Sequence, residues 1–343
     1  MKILFVSDLS YGSTAKMRMS NLEMLGHHVK PIDVNQELLP GFALRQFFRI
    51  SWRLGWPLDL SRVNSRLIEI GCAFEPDIIW IDKGVYVRRE TLSLLRHQIP
   101  RLRLVHYNPD DPFGKTGKRG WRTFIKAIPA YDVHFVPRRE NVAEYAACGA
   151  AHVYHNIPTR GFDPAVHRPF GDDNDLRHKF ACEVGFLGAY ERQRSESLQR
   201  LAKSGIRIRL MADWPEQHWH PNFLRAPFRI QAEQYAKAIG SFKIALGFLR
   251  KANRDQHTSR SIEIPACGTL LMAERTEEHL MLFEEGKEAE FFDSDDELIE
   301  KVNFYLANDR AREVIARAGR ERCLRSGYDY RSRLCQMLTQ VVD

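Results

Sequence analysis

Between residues 250 and 268 the chain gathers Arg250, Lys251, Arg254, His257 and Arg260 around two carboxylates, Asp255 and Glu263. Cations hold phosphate oxygens, and carboxylates accept from paired hydroxyls. Thr258 or Ser259 can cap a short helix here, and Gly268 can end it. The free N–H groups and dipole of a helix start would add to the arginines as an anion site. Arg260 and Glu263 stand three residues apart, so a helix puts them on one face. One face then offers a cation for phosphate and a carboxylate for a diol, which is what a nucleotide-sugar needs. Pro265 removes a backbone bond and is expected to kink this helix.

Positioning such a face takes strands. Ile244–Leu249 and Thr269–Met272 flank the stretch as apolar runs and read as buried strands. The same grammar opens the chain, with a strand over Lys2–Ser7, a helix from about Ala15 to Leu25 and a strand over His28–Val34. The first loop has a single glycine, Gly12, which excludes the dinucleotide fingerprint and the P-loop. Gly12 with Ser13 and Thr14 can still let a sugar or phosphate approach the helix start, or form a plain turn and cap. Strands over residues 76–82, 101–107, 132–137 and 152–156 complete this half. Ligands in open α/β sheets bind at the carboxyl ends of strands. His106, Asp110 and Asp111 are therefore candidates for acceptor binding or proton transfer, although Pro109 and Pro112 also favour a rigid structural turn there. Later strands over 183–188 and 206–211 end near Arg192, Arg194 and Asp213, and helices are expected over 232–239, 297–306, 310–325 and 330–342.

The segment Thr258-Ser-Arg-Ser-Ile-Glu-Ile-Pro-Ala-Cys-Gly268, with Glu274-Arg-Thr276 and Phe283-Glu-Glu-Gly-Lys-Glu288 behind it, resembles the C-terminal half of CgeB/YkvP-type glycosyltransferases. More broadly it is similar to GT-B retaining transferases, marked by Glu-x7-Glu followed by Ala-x-Gly. Asp255 and Glu263 have that spacing, with Asp one methylene shorter than the usual first Glu. Residues 157–169 carry three prolines, read as an interdomain linker, and resemble the family linker at Gly161, Asp163 and Pro169. The N-terminal half resembles the family more loosely, through Asp82-Lys-Gly84, Tyr107-Asn-Pro-Asp-Asp-Pro-Phe113 and Pro137-Arg-Arg-Glu-Asn141.

The resemblance implies two doubly wound Rossmann-like α/β domains facing across a cleft. It divides the chain into an acceptor-side domain (1–157), a linker (158–170), a nucleotide-sugar domain (171–328) and a helix crossing back (329–343). It implies transfer of a sugar from a UDP-, GDP- or dTDP-sugar to a hydroxyl on a glycan, a lipid-linked sugar or a protein. Arg260, with a basic neighbour such as Arg254, would neutralise the diphosphate; Glu263 would hold the ribose and Asp255 would lie near the donor sugar. In such folds the loop carrying Arg192 and Arg194 borders the diphosphate, and Thr258, Ser259, Asp213 and Gly12 are further candidates for donor binding from their places at a helix start, a strand exit and the first loop. Electrostatic stabilisation of the leaving group needs no metal. Retention is implied, and inversion with Asp110 or Asp111 as base stays open. A nucleotide-sugar epimerase or hydrolase, or a non-catalytic glycan-binding protein, are the other readings.

At 343 residues, with 44% hydrophobic and 28% charged residues, the chain is globular and long enough for two domains. Its net charge of +7 suits anionic partners. The six cysteines form no C-x-x-C pair and no zinc spacing with histidine, and read as reduced thiols. Ile3–Val6 is too short for a signal-peptide core, so a cytoplasmic protein is expected. Residues 42–56 interleave Phe42, Phe47, Phe48, Trp52 and Trp56 with Arg45, Arg49 and Arg53. This stripe reads as a peripheral contact with the inner face of an anionic membrane, an acceptor groove, or a core helix with snorkelling arginines. No nucleic-acid motif accompanies the charge, so nucleic acid is not an expected partner.

Overall fold

The computed structural model describes the chain except residues 36–45, 48–49, 52–53, 56, 115–117, 156–158, 171–179, 212–213, 226–229, 231 and 343. Two compact units emerge. Unit 1 comprises Met1–Thr159, Ala252–Arg254 and Tyr330–Asp343, and unit 2 comprises Arg160–Lys251 and Asp255–Asp329.

In unit 1 the chain runs β1 (Lys2–Ser7), α1 (Thr14–Met24), β2 (His28–Asp33), α2 (Val63–Phe74), β3 (Ile78–Asp82), α3 (Arg89–Gln98), β4 (Arg103–Tyr107), α4 (Arg122–Ala127), β5 (Val133–Phe135), α5 (Arg139–Ala147) and β6 (His152–Tyr154). The runs Ile3–Val6 and Ile78–Ile81 are apolar at every position because a parallel strand is covered on both faces, and both are fully buried. The strands pair in parallel in the order β2-β1-β3-β4-β5-β6, with Ile3 against Ile78 and Val6 against Ile81. The chain leaves β1 toward one edge and returns at β3 on the other side. Ser7 and Asp82 therefore end strands at the switch point where α/β sheets open a crevice. Ser13 caps α1, its hydroxyl accepting from the Lys16 amide at 3.1 Å.

Unit 2 contains β7 (Cys182–Leu187), α6 (Arg192–Lys203), β8 (Ile208–Met211), β9 (Phe223–Arg225), α7 (Glu233–Gly240), β10 (Phe242–Gly247), α8 (Arg260–Ala266), β11 (Leu270–Glu274), α9 (Glu277–Leu282), β12 (Glu290–Phe292), α10 (Asp295–Ala307) and α11 (Asp309–Arg325). Its parallel order β12-β11-β10-β7-β8-β9 puts the switch between β7 and β10. One face of its sheet is packed through Val184, Phe186, Ile244, Leu246, Leu270 and Met272, and the other through Ala245, Leu271, Ala273 and Phe291 against Ile262 and Ile264. The stretch expected to be a linker is, from Arg160 on, built into this unit. Phe162 is buried, and its amide donates to the Tyr328 carbonyl at 3.1 Å. The last helix, α12 (Tyr330–Val342), belongs to unit 1, where it packs on α1.

Candidate functional site

The carboxyl ends of β7 and β10 are tied together by one side chain. Arg194, in the first turn of α6, is buried and donates to the Ala189 carbonyl at 3.0 Å and the Leu249 carbonyl at 2.9 Å. Burial lowers its pKa, Glu191 opposes the shift, and the like charges of Arg260 and Arg250 add to it. Arg260 opens α8, half-buried, and among the described residues it makes no ion pair. The Nε atoms of Arg194 and Arg260 are both buried, with no hydrogen-bond partner among the described residues. Arg194 also meets the Glu191 carboxylate at 3.6 Å, so of these two neighbouring guanidiniums Arg260 is the one without an anionic partner among the described residues.

One turn along α8, Glu263 is buried. The Tyr235 hydroxyl donates to its Oε2 at 2.8 Å, and burial followed by the Glu263 charge raises the phenol's pKa well above normal, which keeps it a donor. His167 Nδ1 accepts from the Asp163 amide at 3.1 Å, which leaves the proton on Nε2. That nitrogen lies 3.8 Å from Glu263 Oε1, beyond hydrogen-bond length. The carboxylate is thus oriented by one firm donor and keeps acceptor capacity on Oε1.

The loop before α8 is held by its own polar chain. Arg160 donates to Asp255 at 2.8 Å and to the His257 carbonyl, and His257 Nδ1 meets Glu278. Neither Thr258 nor Ser259 caps the helix by its side chain. Instead the Thr258 amide donates to Ser261 Oγ at 3.0 Å, and that hydroxyl in turn donates to His279 Nε2 at 2.7 Å. Pro265 lies inside α8, one residue before the helix ends at Ala266, so little of the hydrogen-bond ladder follows it. Its buried ring packs toward Gly319 of α11.

Several expected site residues sit elsewhere. Arg254 belongs to unit 1, with positive φ (52°), and meets Asp111 at 2.6 and 2.9 Å and Glu144 at 2.8 and 3.0 Å. Two carboxylates neutralise it, so it is not a cation waiting for a diphosphate. Asp111 is held in the same pair: burial favours its neutral form, but Arg254, Asn141 and the Phe113 amide outweigh that and lower its pKa. Asp110 pairs with Lys83 at 2.9 Å. His106 is wholly buried against Phe124 and bonded to His134, and burial, then the His134 charge, pushes its pKa well below normal. This makes it a core histidine rather than a surface acid or base. Arg192 is exposed and pairs with Glu196 four residues on, facing away from its neighbour Arg194. Gly12 takes the positive φ (75°) of the turn after β1. Asp213 and most of the aromatic-arginine stretch 42–56 lie outside the described residues.

Residues 192–339 match a family model described as glycosyl transferase-like. No curated protein matches the chain. Among solved structures, sucrose-phosphate synthase from Thermosynechococcus elongatus superposes with a TM-score of 0.68 at 11% identity, covering 99% of this chain and 98% of that one. The Anabaena protein HepE, solved in complex with UDP and glucose, gives 0.66 at 14% identity over 99% and 100%. A glycosyltransferase from Rickettsia africae gives 0.62 at 11% identity over 99% and 97%. The fold is of the GT-B type. Both six-stranded parallel sheets, with helices on their faces, agree with the α/β class expected from the sequence. The pair Arg194–Arg260 and the Tyr235–Glu263 bond both fall inside the matched stretch. Tyr235, His167 and Arg160 were not visible as site residues in the sequence, since each acquires its role from a partner distant in the chain.

Proposed function

We propose that the protein is a glycosyltransferase of CgeB/YkvP type that takes a nucleotide-diphosphate sugar on unit 2 and passes the sugar to a hydroxyl. The observation that carries this reading is Arg260, without an ion-pair partner among the described residues, beside buried Arg194 and one turn from the oriented Glu263 carboxylate. The diphosphate meets the two guanidiniums, and the ribose hydroxyls donate to Glu263 Oε1. As the bond from the sugar to the diphosphate breaks, negative charge grows on the phosphate oxygen, where fixed cations stabilise it most. We assign metal-independent transfer on the strength of those cations, and retention on the acidic-x7-Glu spacing from Asp255 to Glu263. The experiment is calorimetric titration with UDP, GDP and dTDP, followed by turnover of the sugar of whichever binds. Glu263→Gln should weaken the nucleotide at least tenfold, because it removes a charge-assisted hydrogen bond. Absence of nucleotide binding to the wild type, or equal binding by the variant, would sink the assignment.

Residues 42–56 carry a second part of the proposal, a reversible contact with an anionic membrane. Phe47, Ile50 and Leu54, spaced to share one helix face, are exposed. Exposed apolar side chains in a stretch whose sequence interleaves arginines at 45, 49 and 53 suit a headgroup layer. Phosphatidylserine vesicles should co-sediment the protein at low salt, and reversing those three charges should abolish it. A wild-type protein that ignores the vesicles refutes the contact.

A further inference from the structure

Unit 1 has its own cavity, of about 370 Å³, over the carboxyl ends of β1 and β3 at the switch point of its sheet. Its wall is mostly apolar, with Val34, Val63, Ile81, Val85 and Val87, while Asp8, Ser13, Thr14 and Lys83 supply polar groups. Three observations mark it as more than a packing defect. First, Lys83 holds a left-handed backbone (φ 62°) immediately before Gly84 (φ 65°), where a Cβ would also meet the Tyr131 hydroxyl at 2.9 Å. A non-glycine residue in that region stores strain, and such residues cluster at ligand sites. Second, Arg18 lines the cavity, is buried in a pair with Asp82, stacks on Tyr107 at 4.5 Å, and leaves its Nε with no partner. Third, Asp8 is exposed with one oxygen accepting from the Ser10 amide at 3.0 Å, and it lies within electrostatic reach of Lys83 and Tyr86.

We propose that this cavity binds the acceptor, and that the acceptor is amphipathic: a hydroxylated group joined to an apolar body, with a hydroxyl donated to Asp8 and the body against the valines. A bare sugar would leave the apolar wall unused and part of its own hydroxyls unpaired, which costs more than the wall returns. The polar residues fix orientation, and the valines select for the apolar body. The word acceptor rests on the transferase reading; the cavity and its ligand class do not.

The test titrates the full-length protein with 4-nitrophenyl glucoside and with D-glucose, with and without UDP. The glucoside should bind saturably and D-glucose at least tenfold more weakly. Asp8→Asn should weaken the glucoside about tenfold while leaving the UDP isotherm unchanged. Val85→Trp, which fills the cavity, should abolish glucoside binding. No saturable glucoside binding, equal binding of D-glucose, or affinity unchanged in Asp8→Asn would overturn the proposal, and Asp8→Asn decides it even if the tryptophan variant fails to fold. Glucoside binding through Asp8 without any UDP binding would leave the cavity standing and remove the transferase reading, and the converse result would do the opposite.

Discussion

A guanidinium with an unused buried donor is costly unless something else supplies the acceptor, and Arg260 is in that position. Its neighbour Arg194 answers two backbone carbonyls, so Arg260 has the greater freedom to meet an incoming anion. Arg260→Ala should therefore lower affinity for a nucleoside diphosphate by roughly tenfold to a hundredfold, as loss of a charge-assisted contact implies. Affinity for the bare nucleoside should hardly change. Parallel titrations of the two ligands check this, and equal losses would make the arginine structural. The contrast with Arg254 is instructive. Both arginines lie in the same stretch of sequence, yet Arg254 is saturated by Asp111 and Glu144 and Arg260 is not. Spacing within the stretch exposes the Arg260–Glu263 relation, because a helix makes it local. It says nothing of partners such as Asp111 and Glu144, which precede Arg254 by 143 and 110 residues. The same holds for Tyr235, whose bond to Glu263 spans 28 residues.

At the scale of elements, legibility follows burial. β1 and β3 are covered on both faces, so their apolar runs are unbroken and readable. The helix expected over 330–342 has the bounds Tyr330–Val342, and α1 runs Thr14–Met24 against an expected start near Ala15. The cap of α8 was not readable. The acceptor at its start comes from Ser261 inside the helix, steadied by His279 eighteen residues away. Close packing between elements is equally hidden in the sequence. Gly319 of α11 lets the helix approach so near that a Cβ there would stand 2.3 Å from the Glu288 carbonyl. Backbone cannot yield as a flexible side chain does. Gly319→Ala should therefore destabilise unit 2 by about 1–3 kcal/mol despite its better helix propensity. Thermal melts of the two proteins check the sign, and an unchanged or raised midpoint would show that α11 can move away.

Across the whole molecule, each unit carries a histidine buried in its neutral form. In unit 1, burial pushes His134 down to about 4, against the opposing pull of the Ile128 carbonyl. In unit 2, burial likewise pushes His279 down to about 4, with the Glu274 carbonyl opposing. His279 is fully satisfied when neutral: its Nδ1 donates to that carbonyl at 2.6 Å and its Nε2 accepts from Ser261. A second proton would reverse that bond, so that the Ser261 hydroxyl must accept from Nε2 and its own proton loses its partner. Both folded pKa values lie below the ordinary 6.5. Between pH 6.5 and about 4 the unfolded chain therefore binds protons that the folded chain refuses, and stability rises with pH across that window. The contribution is complete above 6.5 and is lost as the pH falls toward 4, at roughly 3 kcal/mol for His279 taken alone. Asp111, whose pKa is depressed from 3.8, loses its contribution only at lower pH, so the two effects separate. Urea midpoints should hold between pH 7.5 and 6.5 and fall from there to pH 4.5. His279→Asn should start from a lower midpoint and show a shallower slope, since one of the refusing groups is gone. A wild-type midpoint that is flat over the window would mean that these rings already carry their protons in the folded protein, and with them the Ser261–His279 link that steadies the start of α8 would have to be redrawn.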